Sequence, residues 1–152
     1  MKYWRLAPGR QRIPPDGRKL ETMIEVLVVD DDALMRGLVA EWLSEAGYRV
    51  RQAESGAKAL RMLRSRPAGL LITDMDMPGR DGAQTLDEAR RMLPGLSVIA
   101  ISGGALDGRQ NWAATALKLG AAKALAKPFE RQVLLAAVEE IVPRDKSGAV
   151  RA

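Results

Sequence analysis

The 152-residue chain is 47% hydrophobic and has a formal net charge of +5. This length suits one domain with a substantial core, and no apolar run approaches the roughly 20 residues of a membrane-spanning helix. The sequence contains no cysteine and no histidine. Disulfides, thiolate or histidine metal sites, a Ser-His-Asp triad and phosphohistidine on this chain are therefore excluded. The lack of disulfides suits the cytoplasm, where we expect the protein.

The positive charge is concentrated at the two ends of the chain. Residues 1–22 have a net charge of +4 and residues 143–152 one of +2, which leaves −1 for residues 23–142. Because the middle of the chain is nearly neutral, we do not expect a nucleic-acid partner. Because no apolar run is long enough to span a bilayer, we expect no membrane partner either. We interpret residues 1–22 as a disordered leader or non-native extension, 23–142 as the folded domain and 143–152 as a flexible tail.

Between residues 23 and 142, short apolar runs alternate with helical patterns. In chain order, the pattern predicts a strand over 26–29, a helix over 33–45, a strand over 48–53, a helix over 57–64, a strand over 70–73, a helix over 82–92, a strand over 97–102, a helix over 111–119, a strand over 123–126 and a helix over 130–142. In the first helix, Leu34, Leu38, Trp42 and Leu43 are expected to share one apolar face. This alternation predicts a parallel sheet with helices on both faces.

Ionisable and hydroxyl residues stand where the predicted strands end. The first strand is followed by Asp30, Asp31 and Asp32, and the other ends have Asp74, Ser102 and Lys127. In a parallel sheet these ends line one crevice, where ligands bind. Clustered carboxylates repel one another unless a cation compensates them, and Mg²⁺ and Lys127 would do so. The combination indicates phosphoryl chemistry with a nucleophilic aspartate that forms an acyl phosphate.

Four motifs, VVDDD, TDMDMPGRDG, IAISGG and AKPF, follow one another at these strand ends. With them, residues 23–142 resemble the receiver domain of two-component response regulators, the CheY-like family. The resemblance implies an α/β, flavodoxin-like (βα)5 fold with a five-stranded parallel sheet of order 2-1-3-4-5.

The resemblance also implies a phosphoacceptor and a metal site. Asp74 corresponds to the phosphorylated aspartate. Asp30 and Asp31 correspond to the acidic pair that holds Mg²⁺, with Asp74 and the backbone carbonyl of Asp76 as further ligands. Asp32 extends the acidic run, and its place before a helix is typical of an N-cap.

Other positions of the family pattern are filled as well, with two departures. Ser102 resembles the switch hydroxyl that binds the phosphoryl group, and Lys127 the lysine that pairs with a phosphoryl oxygen, with a cis bond to Pro128. Ala124 stands where the family usually has an aromatic residue, which argues against an aromatic-flip output. The segment SGGALDGRQNW is about three residues longer than is typical, and output through this loop is an alternative.

As a receiver, the chain would act as a stand-alone switch or relay, since little sequence follows residue 142. The implied partners are a histidine kinase or histidine phosphotransfer protein and a downstream protein that binds the fourth helix, fifth strand and fifth helix. Homodimerisation through the last helices stays open. Beyond autophosphorylation from small phosphodonors and autodephosphorylation, no enzymatic activity is expected.

Two alternatives remain. The first is a degenerate receiver that binds proteins without phosphorylation, although every acidic, hydroxyl and lysine position is filled. The second is a haloacid-dehalogenase-like phosphatase, because Asp74-Met75-Asp76 resembles the nucleophile motif of those enzymes. That motif belongs on the first strand of a larger fold, whereas here it follows the third strand of a short chain.

Overall fold

The computed structural model describes residues 5–6, 12–13, 24–77, 82–103 and 112–142. The elements of the main domain are β1 (Glu25–Val29), α1 (Ala33–Glu45), β2 (Arg49–Ala53), α2 (Gly56–Ser65), β3 (Leu70–Asp74), α3 (Gly82–Met92), β4 (Ser97–Ser102), α4 (Trp112–Lys118), β5 (Lys123–Ala126) and α5 (Arg131–Ile141). Within the predicted leader, Arg5–Leu6 pairs antiparallel with Arg12–Ile13. The rest of the leader and the predicted tail from 143 onward lie outside the described residues, so the proposed boundaries stay predictions.

The five strands form one parallel sheet in the order β2-β1-β3-β4-β5. This arrangement confirms the predicted fold class and the strand order 2-1-3-4-5. All five residues of β3, the central strand, are buried. Because a central parallel strand is covered on both faces, it has a continuous apolar run instead of an alternating pattern. In the part of the chain that the structure describes, no helix is long and apolar enough to cross a membrane.

Two hydrophobic cores cover the two faces of the sheet. One contains Leu27, Leu71 and Val98 with buried residues of α2, α3 and α4. The other contains Val28 and Ile72 with buried residues of α1 and α5. Each fully buried aliphatic side chain favours folding by about 1.5–3 kcal/mol relative to an exposed one. The two cores therefore hold the strand ends, and the side chains that follow them, in fixed positions.

The predicted apolar face of α1 is partly wrong. Leu43 is fully buried, but Leu34 is 86% exposed and Leu38 is 43% exposed. The helix instead turns Val39 and Leu43 toward the sheet, with Met35 packed against the same core. The sequence of α1 contains two apolar stripes one residue apart, and this offset rotates the face by about 100°. The packing of α1 against β1 selects the second stripe.

Candidate functional site

The carboxyl ends of β1, β3 and β5 bring two carboxylates and one ammonium group together. Lys127 Nζ lies 3.0 Å from Asp74 Oδ2 and 3.2 Å from Asp30 Oδ2. Asp74 is 3% exposed and Asp30 is 5% exposed. The contact joins residues 97 positions apart in the chain, and it exists because parallel strands end at the same edge. Three residues predicted to share a site therefore lie in direct contact.

Asp30, Asp31 and Asp74 form a cluster that could hold a metal ion. Each offers a carboxylate oxygen, and these oxygens lie within 4.8 Å of one another. Asp31 is exposed, so the cluster opens to solvent on one side. Asp32 has a different role: its Oδ1 accepts hydrogen bonds from the amides of Leu34 (3.0 Å) and Met35 (3.3 Å). It is the N-cap of α1, as its position before the helix predicts.

Asp30 and Lys127 both have shifted pKa values, and burial and neighbouring charges contribute to both shifts. Burial raises the pKa of Asp30 from 3.8 to about 6, and the nearby charge of Asp74 adds to this effect. The amide of Asp32, which donates to Asp30, and the Lys127 ammonium oppose it. Burial lowers the pKa of Lys127, but hydrogen bonds and charge interactions with Asp74 and Asp30 outweigh burial and leave the pKa raised. The site therefore favours a charged lysine and holds excess negative charge that a second cation would compensate.

Ser102 lies beside the same site but is bonded to Asp76. Its register in the sheet follows from β4, where Ile101 pairs with Asp74. The fully buried Ser102 donates its hydroxyl to Asp76 Oδ2 at 2.5 Å, and the Gly103 amide donates to the same oxygen at 3.0 Å. The Asp76 amide in turn donates to Asp74 Oδ1 at 3.0 Å. From the sequence, only the backbone carbonyl of Asp76 was expected to take part in the site, and the contacts of its side chain were not predicted.

The comparisons with known proteins agree on one family. The family model described as "Response regulator receiver domain" matches residues 26–139. The chain belongs to the response regulator receiver domain family. As a receiver domain it takes part in two-component signalling, and members of this family are in general signalling switches and not enzymes.

Individual relatives give the same result. The receiver protein CpdR of Brucella abortus is 33% identical over 125 residues, which cover 79% of this chain and 98% of that protein. The response regulator FleR of Pseudomonas aeruginosa is 37% identical, over 73% of this chain and 23% of FleR. Several other curated relatives are also much longer, and the chain spans about a quarter of their length, as with GlrR of Escherichia coli at 25%. The crystal structure of the NtrX receiver domain from Brucella abortus superposes with a TM-score of 0.71 at 35% identity, covering 76% of this chain and 96% of that one.

The donor set of this receiver domain fits Mg²⁺. Receiver domains generally bind this ion in an acidic pocket, and here three carboxylates approach closely at the strand ends. Hard oxygen donors with open solvent access suit Mg²⁺, which keeps several of its water ligands. Burial is the main cause of the raised pKa of Asp30, and the neighbouring charge of Asp74 adds to it; a bound dication would oppose both effects. Asp30, Asp31 and Asp74 are the side chains that would hold it.

The backbone around Asp74 depends on a glycine, Gly82, for which the sequence suggested no role. A Cβ atom on Gly82, the first residue of α3, would lie 2.6 Å from the Asp74 carbonyl oxygen and closer still to the Met75 Cα. These distances are far below van der Waals contact. The signal in the sequence was a glycine at the start of a predicted helix, a few residues after the acidic strand end. In this receiver domain, only a residue without a side chain fits there.

The remaining predictions for β4 and β5 have different outcomes. The Lys127–Pro128 peptide bond is cis, as the resemblance implied. Ala124 lies in β5 opposite Ala100, so no aromatic ring is available at this position. The predicted long loop after Ser102 falls mostly on residues 104–111, which lie outside the described residues. A loop-based output therefore stays a prediction.

Proposed function

We propose that this receiver domain accepts a phosphoryl group on Asp74 from a phosphorylated histidine of a partner protein. The observation that supports this most directly is the pairing of Asp74 with Lys127 at 3.0 Å inside a carboxylate cluster. A buried carboxylate next to an ammonium group has the arrangement of a nucleophile beside a cation that can compensate the charge on the phosphoryl oxygens. The 152 residues contain no histidine, so the phosphohistidine lies outside them. A histidine kinase or histidine phosphotransfer protein is the matching partner.

In the transfer, a carboxylate oxygen of Asp74 attacks the phosphorus atom of the phosphohistidine. The new O–P bond forms as the N–P bond breaks, and the imidazole ring departs with the electron pair of that bond. Lys127 stands where it can pair with a phosphoryl oxygen after the transfer. Bound Mg²⁺ would supply further compensation of the negative charge on the phosphoryl oxygens. Asp30 and Asp31, with Asp74 and the carbonyl of Asp76, are its proposed ligands.

After transfer, we infer that Ser102 donates its hydroxyl to the phosphoryl group. A local change of charge then shifts the population between two arrangements of the domain. The surface formed by α4, β5 and α5 is the proposed contact for a downstream protein. On this surface Leu117 and Val133 are about half exposed, and Lys123 Nζ lies 2.6 Å from Glu140 Oε2. Exposed apolar residues and a solvent-accessible ion pair on these three elements suit a reversible protein contact.

The test is incubation with acetyl phosphate or carbamoyl phosphate, with Mg²⁺ or with excess EDTA, followed by intact mass measurement. We expect a Mg²⁺-dependent gain of one phosphoryl group that is absent from Asp74→Asn. Asp87→Asn, on α3, is the matched control because it makes the same chemical change away from the strand ends. No gain in mass, together with no binding of beryllofluoride, would favour the degenerate receiver instead.

A further inference from the structure

The Asp76 side chain accepts hydrogen bonds from two donors at the end of β4. Its Oδ2 accepts both the Ser102 hydroxyl, at 2.5 Å, and the Gly103 amide, at 3.0 Å. Through its own amide, Asp76 is also tied to Asp74 Oδ1. A single carboxylate oxygen of Asp76 thus binds two donors at the end of the strand next to β3, which carries the proposed phosphoacceptor.

A hydroxyl group has one proton and donates one hydrogen bond at a time. If Ser102 donates to a phosphoryl group on Asp74, its hydrogen bond to Asp76 must break. The Asp76 carboxylate also places a negative charge two residues from the position that gains the phosphoryl charge. Hydrogen bonds to a charged acceptor are stronger than neutral ones, so this competition has a measurable cost.

The backbone of Ser102 does not depend on Asp76. Its carbonyl accepts the Lys127 amide at 2.9 Å, and Ser102 pairs with Ala126 in the sheet. Removal of the Asp76 carboxylate would therefore remove its hydrogen bond to the Ser102 hydroxyl, whereas the backbone contacts of Ser102 with β5 would remain.

We propose that Asp76 is a positioning residue that holds Ser102 and Gly103 in the unphosphorylated arrangement and opposes occupation of the site by a phosphoryl group. This proposal rests on the function proposed above. The Asp76 carboxylate stands in for a phosphoryl oxygen until Asp74 is modified.

The experiment measures the affinity of the full chain for beryllofluoride, a phosphoryl analogue, in the presence of Mg²⁺. We expect Asp76→Ala to bind roughly tenfold more tightly than the wild type, which corresponds to about 1.4 kcal/mol. Asp76→Asn, which keeps an acceptor but loses the charge, should be intermediate. Asp87→Asn is the control for loss of one negative charge elsewhere. In the ligand-free Asp76→Ala protein, the Gly103 amide proton signal should also move upfield, because it no longer donates to a carboxylate.

A second comparison separates the hydrogen bond from simple charge repulsion. In a Ser102→Ala background, Asp76→Ala should improve binding by no more than about threefold, because the hydroxyl is already absent. An equal gain in both backgrounds would overturn the proposal. If the wild type binds and Asp76→Ala binds no more tightly, the positioning role is wrong while the proposed function stands. If neither protein binds more than Asp74→Asn does, both fail, whereas binding by Asp76→Ala alone would support the positioning role.

Discussion

Lys127 Nζ lies 3.0 Å from Asp74 Oδ2, although 53 residues separate the two in the chain. The same nitrogen lies 3.2 Å from Asp30 Oδ2, so one ammonium group compensates two buried carboxylates. Removing one partner of a buried charge group leaves the others uncompensated. The stability of the ligand-free domain therefore depends on this lysine.

Lys127→Met should lower the free energy of unfolding at pH 7 by about 1–3 kcal/mol, less than for a fully buried pair because the lysine side chain is 25% exposed. The loss should be smaller at pH 5, where Asp30 takes up a proton and the repulsion falls. Urea unfolding of the wild type and of Lys127→Met at pH 5 and pH 7 measures the loss of stability at each pH. Lys118→Met, at an exposed position of α4, is the control. Equal losses at pH 7 for the two variants would contradict the prediction.

The raised pKa of Asp30 predicts a pH dependence of stability without metal. Its folded pKa of about 6 lies above the ordinary 3.8, so between these values the folded state binds more protons than the unfolded state. Stability from this group therefore falls as the pH rises from about 4 to about 6. Asp30→Asn lacks this titration, and its stability relative to the wild type should increase by up to about 3 kcal/mol over that range.

Unfolding in EDTA at a series of pH values tests the prediction for Asp30. The raised pKa of Lys127 does not interfere, because this group loses its contribution only as the pH rises above 10.5. Parallel stability profiles for wild type and Asp30→Asn would show that Asp30 is not perturbed.

Mg²⁺ should stabilise the domain through Asp31. At a free concentration of about ten times its Kd, the ion should add about 1.4 kcal/mol to the free energy of unfolding. Asp31→Asn should lose most of this gain, since Asp31 belongs to the carboxylate cluster. Asp32→Asn is the matched control next to it, because asparagine also caps a helix well. Thermal unfolding with and without Mg²⁺ measures the effect, and equal losses in both variants would assign the gain to general screening.

Gly82→Ala should destabilise the domain by about 2–3 kcal/mol, because its Cβ would meet the backbone of Asp74 and Met75. The new methyl group should also displace Asp74 and reduce phosphoryl uptake. Gly37→Ala is the control: no atom lies within 4 Å of a Cβ there, and alanine favours a helix interior by about 1 kcal/mol. In urea unfolding, we expect Gly82→Ala to lower the free energy of unfolding and Gly37→Ala to raise it. A stable, fully active Gly82→Ala protein would contradict the close approach.

The observed face of α1 predicts different costs for two leucines of the same helix. Leu43→Ala should lower the free energy of unfolding by about 2–5 kcal/mol, because Leu43 is fully buried. Leu34→Ala should change it by no more than about 0.5 kcal/mol, because Leu34 is 86% exposed. Chemical unfolding of the two variants tests this difference. Similar losses in stability would support the apolar face of α1 that was expected from the sequence.

The alternation of strands and helices could be predicted from the sequence because strands buried on both faces have continuous apolar runs. The grouping of Asp30, Asp74 and Lys127 followed from the same pattern, since parallel strands end at one edge. These features could be predicted because they depend on local composition, and because the rules for connecting strands and helices leave few possible topologies.

Other features depended on the tertiary structure. The sequence of α1 offered two apolar stripes, and packing against β1 decided that Val39 and not Leu38 faces the core. The raised pKa of Asp30 needs burial, which sequence alone does not measure. The contact of the Asp76 side chain with Ser102 joins the segment after β3 to the last residue of β4, 26 residues apart, and only the register of β3 and β4 places them side by side. The sequence thus determined which residues meet at the strand ends, and the packed structure determined how each side chain is directed there, because direction depends on neighbours that are distant in the chain.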